Sequence, residues 1–386
     1  MAEVKQKFVL CGHYGSTNLG DEAIGLSIVH SIHNKYPQAE IVVLSYDRQR
    51  SKDFYDKYAP ELKIKTAYLI PLGIRSFLRG VFKGELWHTL RQIKTCDRFI
   101  LGGGGLFTDE RLFAVLLWGL QAHFAYKFKK PVYIIGQSVG PIRTKIGRWI
   151  VKKIFSKATY INLRDEESKK LLERLKIEKE ILVTCDPVFA LDFDKKFDQK
   201  FIYRELNKKV EQEGYSGYFL CTIRPWTRNF EKLYTKFIQS IEEIRAKYQL
   251  LPVFIPFQVI NDNDRSILDK FIDQKTFKSK MVILEYEENI YEIMDVFSHA
   301  KFTFGMRLHS LLFSFIVGCP FIAIAYSEKI QNFLKMTGFE NYIIKSFDKN
   351  NIFPLVDNII QESNSLNLKL KEKAYFLAQK WNKYFL

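Results

Sequence analysis

The sequence predicts an α/β protein made of two Rossmann-like, doubly wound domains facing a cleft, with a C-terminal helix strapping the domains together. Three observations carry this. Short apolar runs rich in β-branched residues alternate with longer amphipathic segments, the pattern of parallel strands covered by helices. The alternation occurs as two series divided by a polar stretch. At 386 residues the chain is long for a single core and suits two domains of about 100–200 residues.

The first series begins with the strand "KFVLCG" and the helical segment "GDEAIGLSIVHSIHNKY". It continues through "EIVVLS", "RFILGGGG", "LFAVLLWGLQAHFAYKF", "PVYIIGQSVGP", "TYINLRDEES" and "EILVTCDPVF". This places an N-terminal domain at residues 1–188. The polar segment "DFDKKFDQKFIYRELNKKVEQEG" then breaks the pattern. A second domain, residues 214–350, follows from "YFLCTIRPW", "LLPVFIPFQ", "MVILEY", "AKFTFGMRLHS" and "CPFIAIAYS", interleaved with helices. The closing segment at 365–386, "LNLKLKEKAYFLAQKWNKYF" within it, has apolar residues at helical spacing and a basic face. It reads as a helix packing back on the N-terminal domain, with a membrane-surface helix as the alternative.

Hydrophobic residues make up 47% and charged residues 26%, as in globular proteins, and the formal net charge is +16. That excess, dense at Arg143-Thr144-Lys145, Arg148, Lys152 and Lys153, points to an anionic partner or to a solvated basic face. No zinc finger, RNP motif or basic-aromatic pattern favours nucleic acid, which leaves a phosphorylated small substrate or an anionic membrane surface. The five cysteines are widely spaced and sit in apolar runs, so neither a disulfide framework nor a zinc site is expected. No metal-ligand cluster is evident, and no metal or cofactor is expected. The chain begins without a signal-peptide h-region and has no membrane-spanning window, which predicts a cytoplasmic protein, peripheral contact with a membrane remaining open.

In open parallel sheets ligands gather at the carboxyl ends of the strands, so chemistry is sought there. The opening stretch "CGHYGSTNLGDEAIG" lacks the Lys-Ser/Thr of a P-loop, and Gly12, Gly15 and Gly20 do not match the dinucleotide fingerprint. Asn18 and Asp21 stand at the following helix start, where either residue serves as a cap or Asp21 has a chemical role. Gly102 to Gly105 follow the strand "RFIL" and either bare the backbone for an anion or sugar or make a tight strand-to-helix turn. In the second series Arg224, Arg307 and Lys329 each follow a different strand, with His309 beside Arg307. Such a set suits a carboxylate or phosphate ligand, Arg by bidentate contact and Lys as a point charge.

The ordered motifs "GHYGSTNLGDEA", "LGGGGLF", "GQSVGPI", "LRDEES", "DPVF" and "FGMRLHSLLFSFIVGCPFIAIAYSEKIQNFLKMTGF" resemble the polysaccharide pyruvyl transferase family, most closely its bacterial cell-wall branch. The resemblance spans most of the chain. It implies a GT-B-like fold and transfer of pyruvate from phosphoenolpyruvate, a co-substrate, to a sugar as a cyclic ketal. On that reading His309 supplies the acid. Arg164, Arg224, Arg307 and Lys329 clamp phosphoenolpyruvate, and Asp21 is the base for a sugar hydroxyl. Gly15, Asn18, Gly103, Gly104 and Gln137 line the acceptor side. The implied acceptor is a sugar such as N-acetylmannosamine on a lipid-linked diphosphate. Departures at His13-Tyr14, Ser16-Thr17 and Arg111 leave the acceptor sugar open. The rivals are a GT-B nucleotide-sugar glycosyltransferase and a non-catalytic anionic-surface-binding protein.

Overall fold

The computed structural model of the chain describes residues 6–110, 112–191, 201–225, 231–260, 263–272, 281–324, 327–344, 347 and 349–386. Two compact units emerge. One comprises Met1–Ser16, Asp21–Leu191 and Leu377–Leu386, and the other Thr17–Gly20 and Asp192–Phe376.

Among the described residues the first unit holds seven parallel strands: β1 (Lys7–Cys11), β2 (Glu40–Ser45), β3 (Lys65–Tyr68), β4 (Arg98–Phe107), β5 (Val132–Val139), β6 (Tyr160–Leu163) and β7 (Leu182–Val183). Their order is β3-β2-β1-β4-β5-β6-β7. Strands of a parallel sheet are covered on both faces, and accordingly Phe8, Val9, Leu10 and Cys11 are all buried in succession. The strand order reverses between β1 and β4, where Cys11 pairs with Leu101. A doubly wound sheet offers its ligand crevice at the carboxyl end of such a reversal. The opening glycine motif follows β1 directly, and the run Gly102 to Gly105 lies within β4 itself.

The end of the C-terminal helix Ser363–Tyr384 belongs to this unit. Trp381 is fully buried and its indole N–H donates to Ser31 Oγ at 3.0 Å, while Lys35 Nζ reaches the Phe385 carbonyl at 2.9 Å. Aromatic burial of this kind contributes on the order of 3–5 kcal/mol when measured by truncation to alanine.

Among the described residues the second unit holds five parallel strands: β8 (Tyr218–Thr222), β9 (Leu251–Phe254), β10 (Val282–Ile283), β11 (Thr303–Gly305) and β12 (Phe321–Ala323). Their order, β10-β9-β8-β11-β12, repeats the reversal, now between β8 and β11. Gly305 pairs with Thr222 on one side and Ala323 on the other, so β8, β11 and β12 end in one row. Phe219, Phe237, Phe304 and Ile322 fill the core against this sheet. The polar stretch at the expected boundary is not strand-like: residues Phe201–Gln212 form a helix that buries Leu206 and Val210, at four-residue spacing. All five cysteines are buried as free thiols.

Candidate functional site

The opening motif leaves β1 at Gly12. A side chain there would come within 2.5 Å of the Tyr14 ring, so glycine allows the ring to fold back and donate its hydroxyl to the Gly102 carbonyl at 2.7 Å. Gly15 has φ +68° and no room for a Cβ beside Ser45. Its N–H and that of Ser16 donate to the buried Glu22 carboxylate at 2.8 and 3.2 Å. Gly15 is therefore a packing and turn residue of the motif.

The helix Leu19–Lys35 opens with Asn18, whose Oδ1 accepts from the Gly20 N–H at 3.1 Å. Asn18 thus performs the capping that the sequence left open between it and Asp21, and its amide also meets Gln258 at 3.3 Å within the second unit. There too, a Cβ on Gly20 would lie 2.1 Å from His309 Nδ1, so only glycine accommodates the imidazole. Asp21 turns elsewhere. Its Oδ2 lies 3.0 Å from His13 Nδ1, which also lies 2.8 Å from Ser16 Oγ. Burial disfavours the charged His13 ring, but the bonded Asp21 carboxylate and nearby Glu22 outweigh it and raise its pKa above the ordinary value. His13 also packs edge-on against Tyr46, centroids 5.0 Å apart, and Tyr46 against buried Trp118 at 6.3 Å.

The glycine run continues β4. Gly103 and Gly104 have φ +69° and +82°. A Cβ at 103 would strike the buried Ile24 at 2.0 Å, whereas one at 104 would meet Asp21 Oδ1 at 3.3 Å. Gly103 is required by packing, and Gly104 leaves space beside the carboxylate. Gln137 is fully buried. Its amide donates to the Gly103 carbonyl at 2.9 Å and accepts from Leu106 N at 3.4 Å. The expected acceptor contact at Gln137 is therefore corrected: it shapes the glycine turn from beneath.

Arg164 follows β6. It is buried, with Nη1 2.5 Å from Asp186 Oδ2 and Nε 2.6 Å from Ser138 Oγ. A buried guanidinium needs a counter-charge, and Asp186 of "DPVF" supplies it. Here too the expectation of a direct substrate clamp gives way to an internal ion pair that ties "LRDEES" to "DPVF".

In the second unit Arg307 follows β11 and is likewise buried. Its Nε donates to Asp264 Oδ2 at 3.2 Å and its Nη2 to Asp264 Oδ1, the bidentate geometry expected for a ligand carboxylate but met by the chain's own. Arg224 after β8 and Lys329 after β12 are half-buried. His309, half-buried, lies in the first turn of the helix Leu308–Val317, and Lys329 in that of Glu328–Thr337. No side-chain hydrogen bond closes the N-cap of either helix. Their leading N–H groups and dipoles therefore face the same strand ends as Arg224 and Lys329, an arrangement suited to an anion. Thr222 and Ser310, 2.7 Å apart through their hydroxyls, fix β8 to the His309 helix.

Sequence reasoning singled out Asp21 but passed over its partner. His13 stood in the quoted motif, read only as a departure, and its eight-residue separation from Asp21 matches no regular element. Tyr46 and Trp118 carried no motif at all. Arg111 lies outside the described residues. Among the described residues no group of three His, Cys, Asp or Glu side chains is placed to hold a metal.

The chain resembles solved structures in fold. A UDP-GlcNAc 2-epimerase from Neisseria meningitidis, bound to UDP-GlcNAc, matches 98% of this chain and 100% of its own, with a TM-score of 0.62 at 14% identity. A glycosyltransferase from Rickettsia africae matches 98% and 94%, with a TM-score of 0.64 at 12% identity. These likenesses bear out the α/β, GT-B-like class. In sequence the chain is 25% identical over 362 residues, 86% of each protein, to the amylovoran biosynthesis protein AmsJ of Erwinia amylovora. The non-catalytic rival does not survive the comparison with families, nor does the nucleotide-sugar glycosyltransferase. Residues 18–328, most of the chain, match the polysaccharide pyruvyl transferase family, and the chain belongs to it.

Proposed function

We propose that the chain transfers pyruvate from phosphoenolpyruvate to a sugar of a polysaccharide precursor, N-acetylmannosamine on a lipid-linked diphosphate being the reading carried from the sequence. The product is a cyclic pyruvate ketal and inorganic phosphate. One observation carries the donor side: Arg224, Lys329 and two N-termini without side-chain caps share the ends of β8, β11 and β12, beside His309. Phosphoenolpyruvate has a carboxylate and a phosphate, and both call for such donors. Arg307, held by Asp264, acts as a positioning residue for the turn that presents His309. Arg164 likewise holds the first-unit turns.

His309 delivers a proton to the methylene carbon, leaving C2 oxocarbenium-like. One sugar hydroxyl attacks C2 and gives its proton to a base, the role that the sequence reading gives to Asp21. Phosphate then departs with cleavage of its bond to C2 as the second hydroxyl closes the ring, and that hydroxyl's proton ends on phosphate. The anionic groups of the donor stabilise the imidazolium until it is spent.

The test is phosphate release from phosphoenolpyruvate with a panel of aryl glycosides and lipid-linked sugars. His309→Ala is expected to lower kcat by about 10²–10⁴-fold, and Lys329→Ala to raise the KM for phosphoenolpyruvate. Near wild-type turnover in both variants would overturn the donor site. A thermal shift with UDP-sugars and none with phosphoenolpyruvate would overturn the reaction itself.

A further inference from the structure

The first unit exposes apolar side chains on four helices that pack in a row. Ile74–Phe82 lies against Glu85–Thr95, that helix against Leu112–Lys127, and that one against Lys145–Phe155. Phe82 is 86% exposed, Ile74 79%, Trp87 63% and Trp149 61%, with Phe113 and Ile146 also exposed. Isolated exposed apolar residues are ordinary, but large ones gathered on neighbouring helices mark an interaction surface.

The charge on these helices is one-sided. Glu85 is the single acidic residue among the four, whereas Arg75, Arg79, Lys145, Arg148, Lys152 and Lys153 are all exposed on the first and last of them. Lys153 Nζ stands 4.6 Å from the centre of the Trp149 ring, so a cation and an indole share one patch. Ile74, Phe113 and Ile146 lie in the opening turns of helices that follow β3, β4 and β5. In a parallel β-α unit those turns begin at the carboxyl edge of the sheet, the edge that carries Asp21 and the glycine run.

We propose that this face docks on an anionic lipid bilayer, its aromatic and aliphatic side chains entering the headgroup region and its cations meeting lipid phosphates. Charge decides among occupants. A second copy apposed through the same face would set these cations against one another, and a nucleic acid would give Phe82, Ile74 and Ile146 nothing apolar to bury in. A bilayer with acidic headgroups satisfies both features, as at amphipathic interfacial surfaces. No helix of the described residues is long and apolar enough to cross a membrane, so the attachment is to the surface. The inference goes beyond the proposed reaction and does not depend on the acceptor.

The experiment is co-sedimentation of the full chain with phosphatidylglycerol–phosphatidylcholine vesicles and with phosphatidylcholine vesicles alone, at low and high salt. Binding to the acidic vesicles is expected, weakened by salt. Arg79→Gln with Lys152→Gln and Lys153→Gln is expected to lower partitioning roughly 100-fold, from a factor of about 5 per cation. Phe82→Ser with Trp149→Ser is expected to reduce it at high salt as well, with the circular dichroism melt unchanged because both side chains are exposed. Tryptophan emission is expected to shift to the blue on vesicle addition, and Trp87→Phe with Trp149→Phe to remove the shift. No binding to acidic vesicles, equal binding by both sets of variants and wild type, or a change only in sedimentation-equilibrium mass would overturn the proposal. Phosphate release with a soluble aryl glycoside, unchanged in these variants, keeps this result separate from that of the reaction.

Discussion

Gly103 and Gly104 are neighbours with the same backbone sign, yet alanine at each is expected to fail differently. Both have positive φ, so an added Cβ costs about 1–2 kcal/mol at either position. At 103 the methyl also meets Ile24 Cγ2 at 2.0 Å inside the core, and overpacking adds about 1–3 kcal/mol. Gly103→Ala therefore costs roughly 2–5 kcal/mol, a large share of a typical stability of about 5–15 kcal/mol. At 104 the methyl stands 3.3 Å from Asp21 Oδ1, which must yield by only a few tenths of an ångström. Gly104→Ala should lower the melting temperature by about 2–8 °C and leave a folded protein. On the proposed reading its methyl would occupy the space beside Asp21 that a sugar hydroxyl needs, and displacement of a reacting group by about 1 Å costs up to about 10²-fold. The assays are a thermal melt and steady-state phosphate release with each substrate varied in turn. Gly104→Ala is expected to lose about 10–100-fold in kcat/KM for the acceptor with the KM for phosphoenolpyruvate unchanged. A folded Gly104→Ala with wild-type acceptor kinetics would refute the placement of acceptor chemistry at Asp21. A Gly103→Ala as stable as wild type would refute the packing argument.

Two further outcomes follow from charges held inside the first unit. Burial lowers the pKa of His13, but the Asp21 carboxylate and Glu22 raise it more, so the folded value exceeds the reference of 6.5. The resulting stabilisation is fully present below about pH 6.5 and is lost as pH rises through the folded value, so His13→Gln should flatten the melting profile in that window. An unchanged profile would show that the pair is not formed. Arg164→Met leaves Asp186 buried without its counter-charge and is expected to cost about 3–5 kcal/mol, with Asp186→Leu in the same chain restoring much of it. Equal melts for the single and double variants would place the ion pair elsewhere.

The elements were legible where periodicity alone determines them. Runs such as "FVLC" and "YFLC" could be buried on both faces only as interior strands of parallel sheets, and their carboxyl ends could then be named without coordinates. What followed from those ends was legible in part. An arginine after a strand has two fates, to meet a ligand or to neutralise a carboxylate of the chain, and local sequence does not separate them. Asp186 is 22 residues from Arg164, and Asp264 is 43 residues from Arg307. Neither separation corresponds to a turn, a helix face or a strand register. The boundary helix Phe201–Gln212 was missed for a different reason: its narrow apolar stripe, Leu206 and Val210, is diluted by charged neighbours.

Burial is the property that resolves the strand-end cations. Arg164 and Arg307 are sealed, and transferring a sealed guanidinium from its own carboxylate to a substrate would leave Asp186 or Asp264 buried without a counter-charge. The penalty, about 3–5 kcal/mol, would consume much of what binding a small anion yields. Arg224 and Lys329 are half-buried. Their charge stays within reach of solvent, where the proposed donor anion would meet it. The basic excess of the chain therefore divides by burial into three classes: sealed cations that hold turns, half-buried cations at β8 and β12 to which the proposal assigns the donor, and exposed cations on the helices of the first unit to which it assigns a lipid surface.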